Sequence, residues 1–209
     1  AALVGMSFSI QPDTAVYLPF AHDASGQLDL HATLGKLKPI LEDPERQKIG
    51  QNIKYDWIVL KRCGIDLSGV CFDTMIASYL LNPSKRAHNL DQIALDFLDH
   101  KTIRYGDLFA KGQQDRGFQT VPLDKAVPYA CEDADVTLMA RNVLAPKLSS
   151  LGLSNLMADV EMPLVPVLVN MEMRGIRVIR DRLQSLSTDF SRQLDAIERD
   201  IYGLAGGEF

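Results

Sequence analysis

The chain has 209 residues, 46% of them hydrophobic, with a mean hydropathy of -0.03 and a formal charge of -5 from 27 acidic and 22 basic residues. At roughly 150 residues per domain this is one to two domains with a sizeable core, which excludes a disordered tail. The acidic balance excludes a simple cationic clamp that holds nucleic acid by counterion release, and no run approaches the ~20 continuous apolar residues of a membrane helix. Three cysteines, Cys63, Cys71 and Cys131, have no CxxC spacing. They argue against a disulfide framework or zinc knuckle and read as small buried thiols in a reducing cytoplasm.

Leu3–Ile10 and Thr14–Phe20 read as a hairpin around the turn residues Gln11-Pro12-Asp13. After a polar loop at 21–30, Leu34, Leu37, Ile40 and Leu41 give helical spacing over His31–Leu41, ended at Asp43-Pro44. A short strand at Gln47–Gln51 leads into a helix from Ile53 to Cys63, stopped at Gly64. Asn52 is placed to cap that helix. Val70-Cys71-Phe72 is a further strand, and Asp73 caps a helix to Leu81. Asn89, with Gln92 at the third helical position, opens a helix to about Leu98 through a capping box. Gly112–Gly117 reads as an exposed loop. Leu123–Leu148 is helical, with Pro128 marking a kink or break. Alternating strands and helices over the first 150 residues predict an α/β layer fold. Then Val160–Arg174 is an apolar helix closed by Gly175, Ile176–Ile179 is extended, and Leu183, Leu186, Phe190, Leu194, Ile197, Ile201 and Leu204 form one apolar stripe on a long helix. Such a stripe needs a partner. Both ends of the chain, abrupt at AALVGMSFSI and at Gly206-Gly207-Glu208-Phe209, look cut.

Two segments carry candidate chemistry. Gln51-Asn52-Ile53-Lys54-Tyr55-Asp56 lies at a strand-to-helix junction, and Tyr129-Ala130-Cys131-Glu132-Asp133 lies within a helix. A spacing of four puts Tyr129 and Asp133 on one helical face, whereas Asp135 lies ~200° around from Asp133. A phenol beside a carboxylate can hold a metal and orient a water, and two metals ~3.5–4 Å apart can clamp the attacking and leaving oxygens of a phosphodiester. Taken singly, each segment is weak evidence, since such residues at this spacing are mostly solvated or structural.

Read in order and in context they say more. KIGQNIKYDWIVL, FDTMIASYLLNP and YACEDADVTL resemble the 3′–5′ exonuclease domain of bacterial family A DNA polymerases, the DNA polymerase I family. VEMPLVPVLVNMEMRGIRV resembles the phrase that joins this domain to the polymerase thumb. The resemblance covers essentially the whole chain. It implies an RNase H-like α/β fold, a mixed sheet flanked by helices, with residues 1–150 forming the exonuclease domain and 151–209 the connector and start of the thumb. It implies two divalent metal ions, Mg²⁺ with Mn²⁺ or Zn²⁺ as alternatives, and hydrolysis of the 3′-terminal phosphodiester of single-stranded DNA for proofreading in replication and repair. By the same resemblance Asp56 and Asp133 are metal carboxylates, Tyr129 orients the attacking water, Asn52 and Gln51 sit beside the terminal nucleotide, and Tyr105 is an aromatic residue near the single-stranded end. The implied parent is a monomeric, cytoplasmic, nucleoid-associated polymerase that uses no membrane.

The family also has an Asp-x-Glu motif on its first strand. Asp43-Pro44-Glu45 and Asp159-Val160-Glu161 are the only matches here, and neither opens the hairpin region. AALVGMSFSI resembles the family's second strand, so the first strand and two of four carboxylates are expected to be missing. The isolated chain is therefore expected to be a very poor nuclease. The alternatives are a vestigial, non-catalytic exonuclease fold that binds DNA, and a stand-alone ribonuclease with the same site chemistry. Asp73, His88, Lys85, Arg86 and Arg104 are weaker candidates for metal or phosphate contact.

Overall fold

The computed structural model describes residues 3–109 and 117–209. The hairpin forms as read: β1 (Gly5–Gln11) pairs antiparallel with β2 (Thr14–Pro19), Gly5 opposite Pro19 and Ser9 opposite Ala15. Strand alternation turns Met6 and Phe8 toward the core. A Cβ on Gly5 would fall 2.0 Å from the Tyr17 hydroxyl oxygen, so the close seating of that ring requires glycine.

Helix α1 (Leu30–Leu41) starts where the Asp29 carboxylate accepts the Ala32 amide at 2.7 Å. The next unit is strand–helix–strand: β3 (Lys48–Gly50), α2 (Ile53–Arg62) and β4 (Val70–Asp73), the strands parallel with Gly50 opposite Asp73. Among the described residues the expected mixed sheet resolves into two two-stranded sheets, one antiparallel and one parallel, and β1 is not hydrogen-bonded to β3. What joins them is α5 (below), which packs on β1, β2 and β3.

Helices α3 (Thr74–Leu81) and α4 (Leu90–Leu98) follow. Asn89 caps α4 through the Gln92 amide at 3.0 Å, but the Gln92 side chain reaches forward to Asp96 at 2.9 Å, so only half of the expected capping box forms. The expected loop at Gly112–Gly117 lies, up to residue 116, outside the described residues. Helix α5 (Leu123–Ser150) is unbroken over 28 residues, so Pro128 marks no break. It falls in the second turn, where it forgoes a single intrahelical bond while Ala126 and Ala130 on either side are buried.

A single turn, α6 (Ser154–Leu156), runs through a π-helical stretch at Met157–Glu161 into α7 (Met162–Arg174). Met157, Met162, Val165 and Val169 join the core of Leu34, Phe72, Ile93, Leu144 and Leu148. The first compact unit accordingly runs through residue 173, beyond the line read at 150, and residues 174–209 form the second. In that second unit α8 (Arg180–Ala205) ends at Gly206 with φ 80, and Leu183, Phe190, Leu194, Ile197, Ile201 and Leu204 are all exposed along it. The three cysteines are free and half-buried rather than buried. No single helix among the described residues is long and apolar enough to cross a membrane.

The joint between β3, α2 and β4 depends on Asp73. Asn52 occupies the N-cap position of α2 but adopts φ 54, ψ 45, and its side chain makes no capping bond, contrary to its reading as the cap. The cap comes from the neighbouring strand. Asp73 is 2% exposed. One oxygen accepts the amides of Asn52 (3.2 Å), Met75 (2.8 Å) and Ile76 (3.2 Å), and the other accepts that of Ile53 (2.7 Å). A single carboxylate thus caps two helices, α2 and α3, and bridges the parallel pair. Asp73→Ala leaves four buried or half-buried amides without this acceptor. The expected loss is about 2–4 kcal/mol, read as a lower urea midpoint at unchanged m-value; an unchanged midpoint would show that water replaces the carboxylate without cost.

Candidate functional site

The two predicted segments come from different parts of the fold. The left-handed turn at Asn52 frees its side chain from capping and leaves it exposed. Gln51 is engaged at both ends of its amide: the Thr74 hydroxyl donates to its Oε1, and its Nε2 donates to the His88 carbonyl at 2.9 Å. It therefore braces the junction from within. One turn into α2, Asp56 is exposed at the surface; desolvation and the nearby Asp73 charge push its carboxyl up to about 6, and its own backbone hydrogen bond pulls it back. Tyr55, next to it, is 62% exposed. The sequence reading passed over this ring, although an exposed aromatic beside a site carboxylate is a natural contact for an unpaired base.

On α5, Tyr129 and Asp133 meet as the spacing requires, the phenol donating to the carboxylate. Both are half-buried. Burial pushes the Asp133 carboxyl up to about 7, the Tyr129 bond pulls it back, and Asp91 and Glu132 add to the rise. Burial and the adjacent Asp133 push the phenol of Tyr129 above its ordinary range, so it stays a proton donor. Tyr129 packs in a small second core of Leu108, Val121 and Ala126 with Ile103, Phe109 and Phe118. Tyr105, 43% exposed, stands edge-on to Tyr129 at 6.2 Å and stacks on Phe118 at 6.3 Å. Asp135, on its separate face, holds the hairpin turn: both its oxygens accept the Asp13 amide at 3.1 Å, and one accepts the Ser9 hydroxyl at 3.3 Å.

The Asp73 charge raises Asp56, whereas Asp91 and Glu132 raise Asp133. Among the described residues no group of three or more His, Cys, Asp or Glu side chains converges to hold a metal ion. Three of the weaker candidates have other work. Asp73 is the double helix cap, Lys85 is ion-paired with Asp96, and His88 Nδ1 lies 2.9 Å from the Ser78 hydroxyl with its ring edge against Tyr79.

The raised Asp133 carboxyl has a consequence for stability. In the unfolded chain this group loses its proton near 4, in the folded chain near 7. Between these values the folded state holds the extra proton, so stability falls as pH rises through that window. Asp133→Asn keeps an acceptor for Tyr129 and removes the charge. It should be more stable than the parent at pH 8 by on the order of 2 kcal/mol, with the gain shrinking to nothing by about pH 4. Urea unfolding across this range checks it; a difference independent of pH would place the Asp133 charge in water.

Comparison with known proteins agrees with this geometry. The DNA polymerase A family described as 3′-5′ exonuclease matches residues 1–149. DNA polymerase I of Pseudomonas aeruginosa is 43% identical over 215 residues, covering 100% of this chain and 24% of its own length. That of Rhizobium leguminosarum is 38% identical over 229 residues, covering 100% and 22%. The chain thus spans about a quarter of these curated relatives. Among solved structures, the polymerase domain of Pol1 from M. smegmatis, in complex with DNA primer-template and dNTP, covers 93% of this chain and 30% of its own at a TM-score of 0.70 and 23% identity. NrnC of Brucella melitensis covers 78% and 72% at a TM-score of 0.58 and 20% identity, and has also been solved with bound Mg²⁺. These likenesses establish the RNase H-like exonuclease fold, and the match over residues 1–149 decides the family. The chain belongs to the 3′-5′ exonuclease family of the A-type DNA polymerases.

Proposed function

We propose that this chain is the proofreading 3′–5′ exonuclease part of a longer DNA polymerase, with residues 1–150 as the exonuclease domain and 151–209 as connector and start of the thumb. The observation that carries the reading is the placement of Tyr129 and Asp133 together on one face of α5, electrostatically coupled, inside the family-matched region. The share of each relative that the chain spans supports a longer parent, and the M. smegmatis relative's DNA complex supports DNA as partner. A cytoplasmic, nucleoid-associated location goes with that role.

In this reading Tyr129 orients the attacking water, its phenol keeping its proton, and Asp133 and Asp56 are the carboxylates that would hold divalent metal. Asn52, free of capping, and Tyr105 meet the single-stranded 3′ end, while Gln51 braces the turn that presents Asn52. Divalent metal, Mg²⁺ with Mn²⁺ or Zn²⁺ as alternatives, supplies charge neutralisation in this class of site. Among the described residues no three His, Cys, Asp or Glu side chains converge on one ion. A second reading, a non-catalytic exonuclease fold that binds DNA, draws on that same observation.

One assay separates them. The 209-residue chain, given single-stranded DNA with Mg²⁺ or Mn²⁺, should release mononucleotides at close to background. The longer parent should release them readily and lose at least about a hundredfold with Asp133→Ala. Robust release by the short chain, abolished by Asp133→Ala, would show that its own donors suffice. A parent indifferent to Asp133→Ala would favour the non-catalytic module.

A further inference from the structure

The segment between α4 and the 3₁₀ turn at Tyr105–Leu108 carries the Tyr105 ring, and two carboxylates fix it. It leaves α4 through Asp99, a non-glycine residue at φ 51. Asp91 of α4 accepts the Thr102 hydroxyl at 2.7 Å, and Thr102 is buried. Glu132 of α5 holds it twice: Oε2 accepts the Ile103 amide at 2.6 Å, and Oε1 lies 2.9 Å from His100 Nε2, whose ring must carry its proton there. Two residues beyond Ile103 stands Tyr105. Glu132 precedes Asp133 on the helix and projects ~100° away from it. The same turn that makes the Tyr129–Asp133 pair therefore also grips the loop that brings Tyr105 against Tyr129.

We propose that Glu132 is a positioning residue for nucleic acid: it fixes the 99–104 loop so that Tyr105, braced by Phe118 and Tyr129, is a preset stacking surface for an unpaired base. This rests on the reading of the chain as a domain that receives single-stranded DNA. The competing view is that Glu132 is only one more acidic residue near a polyanion. The two views predict opposite signs. Removing a bare negative charge near phosphates tightens binding. Removing the anchor of a stacking ring weakens it, because the base loses its preset stacking partner.

The test is anisotropy of a fluorescent short oligothymidylate with the 209-residue chain in EDTA, alongside circular dichroism melts. Glu132→Ala should weaken binding roughly tenfold, Tyr105→Ala by a similar factor, and the double variant no further than Tyr105→Ala alone. Glu132→Gln, which keeps an acceptor for the Ile103 amide and drops the charge, should bind at least as tightly as the parent chain. Unchanged or tighter binding by Glu132→Ala, or losses that add in the double variant, would overturn the role given to Glu132 and leave the DNA-receiving reading standing. If the parent chain does not bind the oligonucleotide at all, both fall. Should Glu132→Ala fail to fold, Thr102→Val removes the second anchor and must show a loss that vanishes in the Tyr105→Ala background; an additive or absent loss would equally overturn the proposal.

Discussion

The site depends on residues 129–135 of α5, where helical periodicity assigns neighbouring polar side chains to different partners. Tyr129 and Asp133 meet on one face, Glu132 turns to the His100–Ile103 loop, and Asp135 turns to the amide of Asp13 at the hairpin tip. The contacts of Glu132 and Asp135 each span a long stretch of sequence. Without Asp135 the hairpin tip, which among the described residues shares no strand bonds with the parallel pair, would lose its polar tie to α5. The apolar residues of α5 supply the attraction, and these polar contacts decide where the hairpin and the loop stop.

A second carboxylate plays a comparable role at the other sheet. Asp73 caps α2 and α3 together, which releases Asn52 from capping and exposes it next to α2's first turn. The cost of these arrangements shows in the titrating groups. Asp56, Asp73 and Asp133 are all pushed above the ordinary carboxylate range by burial or enclosure. Carboxylates held in protein with few cationic partners are strained in their charged form, a state that an added cation would relieve.

Local features were legible in the sequence. The hairpin, the caps at Asp73 and Asn89, the stop at Gly175 and the stripe on α8 all follow from spacing and turn chemistry within a few residues. The Tyr129–Asp133 contact was legible for the same reason, since a spacing of four is a geometric statement. Misreadings arose where a distant residue competes for a local role. Asn52 has a capping side chain in a capping position, but Asp73 takes the amides from across the parallel pair. Gln51 lies in the candidate motif, yet Thr74 and His88 absorb its amide. Pro128 forms no break because burial on both sides outweighs one missing bond. Glu132 drew no attention beside Asp133, since its partners at His100 and Ile103 lie in a segment with no motif of its own. The split into two sheets was likewise invisible, because strand pairing is decided by residues far apart in the chain.

Amide hydrogen exchange on the 209-residue chain tests most directly whether α5 frames the site. The amides of Asp13 and Ile103 lie in a turn and a loop, and each donates to a carboxylate of α5. If α5 holds the hairpin and loop in place, both exchange slowly, and Asp135→Ala and Glu132→Ala release Asp13 and Ile103 respectively while amides in the middle of α5 stay protected. Exchange of Asp13 and Ile103 at the rate of unstructured chain in the parent would contradict the account.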